Sequence, residues 1–338
     1  MSRTISLTGV DGLPEVGADD DLAELVRQHV PSLAEGDVVV VTSKVVSKSE
    51  GRVVRRDRGS AIEAETERVV AARGPTTIAR TQQGLTLAAA GVDASNTEAG
   101  TVVLLPIDPD ASARRLRSSL FGLTGRNVAV VVSDTAGRPW RYGQTDIAVG
   151  CAGLLPLDDH AGRRDQNGHE LTVTAPAVVD EVAASADLVK GKVAGRPLAV
   201  VHGLQDLVLP IGSNGPGATS LVRAEDADMF VLGAREAVLA AVLRDDTGTL
   251  SVLRRSSTGG VPEPVRRLVD LASADPTLLD VCEAGDETVE VSGAPDVATA
   301  AALERVCSLS VVHGWAVAED DRNLGVCRIV LRSGDPGP

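Results

Sequence analysis

Four short polar clusters carry the side chains able to do chemistry. Val132-Ser133-Asp134-Thr135-Ala136-Gly137-Arg138-Pro139-Trp140-Arg141 follows an all-apolar run without a break. An aspartate beside a hydroxyl at the carboxyl edge of a strand is a natural magnesium ligand, because a hard cation takes hard oxygen donors. The two arginines after it suit bidentate recognition of phosphate or carboxylate. Thr42 to Gly51 (TSKVVSKSEG) sets hydroxyls together with Lys44 and Lys48, again straight after an apolar run. In an α/β protein a strand end furnished in this way is where phosphates bind; the alternative is a solvated strand end. Ala90-Gly91-Val92-Asp93-Ala94-Ser95-Asn96 reads either as a turn built from Asx and Ser residues, or as a site with Asp93 on a metal and Asn96 on a ligand. Gly12-Leu13-Pro14-Glu15-Val16 on its own reads as a connecting turn.

A fifth polar stretch, residues 159–171, contains His160, His169 and several carboxylates. Its spacing matches no helical metal-binding pattern, so a structured polar loop is expected. His29, His202 and His313 stand alone and read as surface or satisfied core residues.

These clusters need elements to position them. Val-rich runs at Asp37 to Thr42, Thr101 to Leu105, Val128 to Val132 and Leu198 to Val201 read as buried strands. Helices are expected from the acidic cluster at 19–21 to about Val30, from Ser60 (with Glu63 as a capping box) to Gly74, after Asp110, and from Thr174 as N-cap to about Gly191. The pattern is α/β with mixed sheets and irregular polar loops. No GxxxxGK[ST] occurs, so a nucleotide would not be held by a P-loop. After about Thr247 the character changes. Residues 248–262 read as a turn-rich linker, and residues 263–338 as a small α/β unit with helices at 263–273 and 295–312 and strands near 287–291 and 325–331.

Composition narrows the class. Of 338 residues only two Phe, two Trp and one Tyr are aromatic, so the core must be aliphatic. The net charge of −14 offers no basic footprint for nucleic acid. The four cysteines form no CxxC pair, and no apolar run is long enough to span a membrane. Met1 leads directly into an alternating strand, so no signal peptide is expected and a reducing cytoplasm is the default.

Taken together, GDVVVVTSKVVSKSEGRVV (36–54), AAAGVDASN (88–96), SDTAGRPWRYGQTDIAVGCAG (133–153) and DDHAGRRDQNGHELTVTAPAVVDEVAASADLVKGK (158–192) resemble the coenzyme F-420-0:L-glutamate ligase, or γ-glutamyl ligase, family in content, order and spacing. The resemblance covers about residues 5–245 and is carried by the conjunction of motifs, since none suffices alone. It implies a non-P-loop GTP-binding ligase domain over 1–247. It also implies GTP contacts from Leu13, Pro14, Glu15, Val16, Ser43, Lys48, Asn96 and Gln205, with Asp93, Asp134 and Thr135 on divalent magnesium or manganese. Lys48 and Asp134 would be catalytic, and Arg138 and Arg141 would meet an anionic substrate group.

The implied partners are GTP, L-glutamate and coenzyme F-420-0, in a cytoplasmic homodimer, with a monovalent ion such as potassium left open. Ala136 stands where the family usually has an aromatic residue, and Tyr142 where it usually has an acidic one. The acceptor is therefore left open, as is a non-catalytic nucleotide- or deazaflavin-binding protein. Some relatives carry a fused flavin-binding, nitroreductase-like domain. The stretch after residue 247 is too short for one, so no FMN site is expected.

Overall fold

The computed structural model describes residues 4–224 except 19 and 96, scattered residues between 227 and 233, and residues 279–333 apart from 286–287, 295–296, 313–314 and 322–326. Its central sheet has the order β1 (Ser6–Gly9), β10 (Leu198–His202), β2 (Val38–Thr42), β8 (Ala129–Gly137), β9 (Gln144–Ala152). The sheet is mixed: β2 and β8 run parallel, while β1/β10, β10/β2 and β8/β9 are antiparallel.

The unbroken valines of β2 follow from burial on both faces. Val39 and Val41 join Val130, Val132, Leu198 and Val200 in one core, and Val38 and Val40 join Ala129, Val131, Ala199 and Val201 in another. The first core is closed by α1 (Leu22–His29) and α4 (Pro109–Thr124) through Ala23, Val26, Ala113, Leu116 and Leu120. The second is closed by α5 (Val178–Lys190) through Val179, Val182, Ala183 and Ala186. With almost no aromatic rings, both layers interdigitate branched and small aliphatic side chains.

Local chemistry sets the helix ends. Asp21 caps α1 by accepting from the Ala23 and Glu24 amides. Asp108 caps α4 by accepting from Ala111 N, and Gly125 closes it in the left-handed conformation at φ 66°. The expected position after Asp110 holds, but Asp110 is not the cap. It is buried in the first turn, where its carboxylate accepts from Cys151 N, Ala218 N and Thr219 N. That turn lies so close to β9 that a Cβ at Gly150 would sit 2.3 Å from Pro109 O.

Three expectations are corrected. The helix expected from Ser60 to Gly74 is only α3 (Arg58–Glu65), capped by Asp57, and the chain then enters β4 (Thr66–Arg73). Thr66, Val69 and Val70 favour strand over helix, and Gly74 makes the turn into β5 (Thr76–Thr81) instead of ending a helix. A short β6 (Thr86–Ala88) follows. The helix expected from Thr174 begins at Val178, because the carbonyls of Thr174 and Pro176 accept from the amides of His160 and Asp158 and hold that stretch extended. The run at Thr101 to Leu105 yields β7 (Thr101–Val103), which pairs with β3 (Val53–Arg55) outside the central sheet.

The chain divides into two compact units, residues 1–67 with 80–224, and residues 68–79 with 225–338. In the second, β11 (Leu279–Gly285), β12 (Thr288–Gly293), β13 (Trp315–Asp321) and β14 (Cys327–Ser333) form an antiparallel sheet of order β11-β12-β14-β13. Helix α6 (Val297–Val312) packs Leu303, Val306 and Leu309 onto it. The expected α6 and the strands near 287–291 and 325–331 are present, while β11 and β13 went unread. The expected linker 248–262 and helix 263–273 lie outside the described residues. No helix among the described residues is long and apolar enough to cross a membrane.

Leu120 is fully buried between α1, α4 and the sheet. Leu120→Ala is expected to lower unfolding free energy by about 3 kcal/mol, read by denaturant titration.

Candidate active site

The site begins where β2 ends. The chain passes from Thr42 directly into α2 (Ser43–Ser49), so the polar cluster read as a strand end is a two-turn helix. Because β2 and β8 run parallel with Thr42 level with Ser133, Ser43 arrives beside Asp134. The Ser43 hydroxyl donates to Asp134 Oδ1 at 2.9 Å. Lys44 reaches Asp93 Oδ2 at 3.0 Å and also donates to the Ser95 carbonyl. Asp93 in turn accepts from Ser95 N at 2.7 Å and from the Ser95 hydroxyl at 3.0 Å. This is an Asx turn, as one of the two expectations had it, and the same turn aims the carboxylate at α2.

The two carboxylates differ in electrostatics. Burial pushes Asp134 up to about 6; the Ser43 and Thr135 hydrogen bonds oppose this, and the charges of Asp146 and Asp93 add to it. Burial also acts upward on Asp93. The Ser95 amide, the Ser95 hydroxyl and the Lys44 ammonium more than offset it and hold that carboxyl below its ordinary value.

At the other end of α2, the buried Lys48 forms an ion pair with the exposed Glu15. Both line a recess of about 370 Å³ with Val16, Thr97, Glu98 and Thr101. That volume is within the range of small-molecule sites. At 1.5 Å of rise per residue, Ser43 and Lys48 are separated by roughly 7.5 Å along the helix. One short helix therefore links a two-carboxylate corner to a recess with a lysine at its wall. Ser47, one turn on from Ser43, is fully buried, and its hydroxyl lacks a hydrogen-bond partner among the described residues.

The donor set fits a hard divalent cation. Among the described residues no three His, Cys, Asp or Glu side chains cluster as ligands. Two carboxylates and a hydroxyl are nonetheless the sparse oxygen set by which magnesium is commonly held, the remaining positions going to water and substrate phosphates.

Not every expected residue joins this group. Leu13 and Val16 pack into the core and anchor the turn that presents Glu15, while Pro14 is exposed. β8 runs past the expected end at Val132 to Gly137, so side chains alternate through this polar cluster. Thr135 therefore points away from Asp134, and its hydroxyl donates to Asp146 Oδ1 at 2.9 Å. Arg138 and Arg141 sit in the turn beyond β8, where Arg138 donates to Tyr142 O at 2.8 Å and Arg141 is exposed. Gln205 lies against Gly36, at the opposite end of β2 from Ser43. Asn96 lies outside the described residues.

The 159–171 stretch is the structured loop expected. His160 pairs with Asp158 and His169 with Asp165. His29 meets Leu25 O and His202 meets Asp37, while His313 is outside the described residues. Sequence reasoning missed Asp146 and Lys190, a fully buried pair joined at 2.6 Å. A lone aspartate in the apolar run QTDIAVGCA was the available signal. Lys190 gave no signal of its own, since a basic residue is common in a helix's last turn.

Fold and site together define a mixed α/β protein with a two-carboxylate corner and a lysine-walled recess. A family model described as F420-0:Gamma-glutamyl ligase matches residues 12–64 and 58–203. The chain is 37% identical over 254 residues to a coenzyme F420:L-glutamate ligase of Methanothermobacter thermautotrophicus, covering 67% of this chain and 98% of that protein. It is 40% identical over 247 residues to the enzyme of that name from Halobacterium salinarum (65% and 92% covered), and 42% identical over 219 residues to that of Natronomonas pharaonis (57% and 84% covered). The chain belongs to the F420-0:γ-glutamyl ligase family.

The raised Asp134 carboxyl has a consequence for stability. The folded state holds its proton more tightly than the unfolded chain, so the stability it contributes below pH 4 is lost as pH rises towards about 6. In metal-free protein Asp134→Asn is expected to exceed wild type above pH 6 by on the order of 2 kcal/mol, with the gap closing below pH 4 in unfolding titrations.

Proposed function

We propose that this chain is a ligase of coenzyme F420 biosynthesis that uses GTP to add L-glutamate to F420-0, on a non-P-loop nucleotide site. The observation that carries the reading is the convergence of Asp134 and Asp93, from distant stretches of chain, on the first turn of α2. It stands beside family membership and similarity, over two thirds of this chain, to enzymes named coenzyme F420:L-glutamate ligase. Ser43, Lys48 and the turn at Leu13–Val16 hold the triphosphate, with the recess beside Lys48 taking part of the nucleotide.

Asp93 and Asp134 hold magnesium or manganese, which when bound neutralises phosphate oxygens. Ser43 orients the Asp134 carboxylate through its hydrogen bond. Lys48 is held by Glu15 until a phosphate competes for it; its ammonium then offsets charge on the phosphoryl group in flight. A carboxylate oxygen of the acceptor attacks the γ-phosphorus, the β–γ bridging P–O bond breaks, and GDP leaves. The amine of glutamate attacks the acyl carbon of the resulting acyl phosphate, the C–O bond to phosphate breaks, and an amide and inorganic phosphate form as the amine loses a proton. Such chemistry needs positioning and charge neutralisation, not a protein nucleophile. Arg138 and Arg141, at the β8–β9 turn, are assigned to an anionic group of the acceptor, and the working unit is a homodimer.

A second reading keeps the mechanism and changes the acceptor. It rests on Ala136, which is buried in the core, and on Tyr142, which is fully exposed, at positions where the family resemblance implies an aromatic and an acidic residue.

Incubation with F420-0, L-glutamate, GTP and magnesium or manganese should give a product heavier by one or more glutamyl units, dependent on both nucleotide and metal. Asp134→Asn should lower turnover at least 100-fold with an unchanged circular dichroism spectrum. Folded wild-type protein that binds GTP without a mass increment on F420-0, and adds glutamate to another acid in a substrate panel, would establish the second reading.

A further inference from the structure

Behind Asp134, on the opposite face of β8, lies a polar knot within apolar packing. Asp146 of β9 is opposite Thr135 in the ladder. Its carboxylate accepts from the Ser133 hydroxyl at 2.9 Å, the Thr135 hydroxyl at 2.9 Å and the Lys190 ammonium at 2.6 Å. Lys190 also donates to Ser133 Oγ at 2.8 Å. Asp146 and Lys190 are 3% and 2% exposed. The neighbouring positions on this face are Val131, Ala148 and the α5 residues Val182, Ala183 and Ala186.

A buried ion pair is a poor device for stability, since apolar residues of similar volume commonly serve as well or better. This network has a more specific geometry. Ser133 and Thr135 are the residues immediately before and after Asp134, and strand alternation sends their side chains to one face and Asp134 to the other. Pinning both hydroxyls to one carboxylate, itself neutralised and fixed by Lys190, locks the rotation of β8 about its own axis at Asp134. The direction of the Asp134 carboxylate towards Ser43 follows from that lock.

We propose that Asp146 and Lys190 are positioning residues for the cation site, setting the aim of Asp134 from behind the strand. The proposal rests on the reading of Asp134 as a cation ligand given above. Groups hydrogen-bonded directly to a ligand typically change metal affinity 10–100-fold. Asp146 and Lys190 act through the neighbouring Ser133 and Thr135, so the lower end of that range is expected.

The test titrates Mn²⁺ into the full-length protein, with free Mn²⁺ read by electron paramagnetic resonance, alongside a melting temperature for each variant. The variants are Asp146→Asn and the double replacement Asp146→Leu/Lys190→Met, which removes the pair without leaving an unmatched charge. Asp146→Asn is expected to weaken Mn²⁺ binding about 10-fold. The double variant is expected to melt at or above the wild-type temperature and still bind Mn²⁺ at least 10-fold more weakly. Wild-type affinity in the stable double variant would overturn the proposal and leave the pair a purely structural one. Wild-type protein that binds no Mn²⁺ would instead remove the cation-site reading beneath it.

Discussion

In the central sheet β2 and β8 run parallel, and the candidate site depends on that pairing. Its register sets Thr42 level with Ser133, so the chain leaving β2 must turn into α2 beside the continuing strand. Ser43 then meets Asp134, and Lys44, next along, meets Asp93. An antiparallel pairing would have placed the carboxyl end of β2 against the amino end of β8, at Ala129 and Val130, where no polar group exists. Five residues of valine and threonine thus determine where the chemistry of two distant segments meets. The same valines hold the sheet in place, because each face of β2 is sealed by its own core.

The polar groups of the site are arranged around that junction in three layers. On the α2 side are Ser43, Lys44 and Lys48, which meet the carboxylates of Asp134, Asp93 and Glu15 in turn. In the strand is Asp134, enclosed enough that burial pushes its carboxyl up to about 6. Behind it are Asp146 and Lys190, paired and dry. Among the described residues, Asp134 is the carboxylate of this group with no ion-pair partner. A cation bound there would supply the missing charge, as desolvated carboxylates require.

Much of the fold was legible because its strands are short, Val-rich and bounded by turns, which buried strands must be in a protein with so few rings. The misreadings have physical causes. Ser60 and Glu63 mimic a capping box, yet Asp57 supplies the cap and the β-branched residues from Thr66 onward cannot sustain the helix. The site's residue types were legible at Ser43, Lys48, Asp93 and Asp134. The side-chain direction of Thr135 was not legible for one reason: the strand was taken to end at Val132. A strand running to Gly137 forces consecutive residues to opposite faces, so Asp134 and Thr135 do not share a site through their side chains. Gln205 was assigned across a loosely aligned stretch, and it follows a strand antiparallel to β2, which carries it to the far end of the sheet. Asp146 and Lys190 are 44 residues apart, and nothing in either segment announces the other.

The direct test is a crystal structure with Mn²⁺ and a non-hydrolysable GTP analogue, read by the anomalous signal of manganese. A peak within coordinating distance of the Asp134 and Asp93 carboxylates is expected, with the β- and γ-phosphates between it and Lys48. Bound nucleotide with manganese elsewhere, or with Asp134 still bonded only to Ser43, would contradict the assignment of this corner as the catalytic cation site.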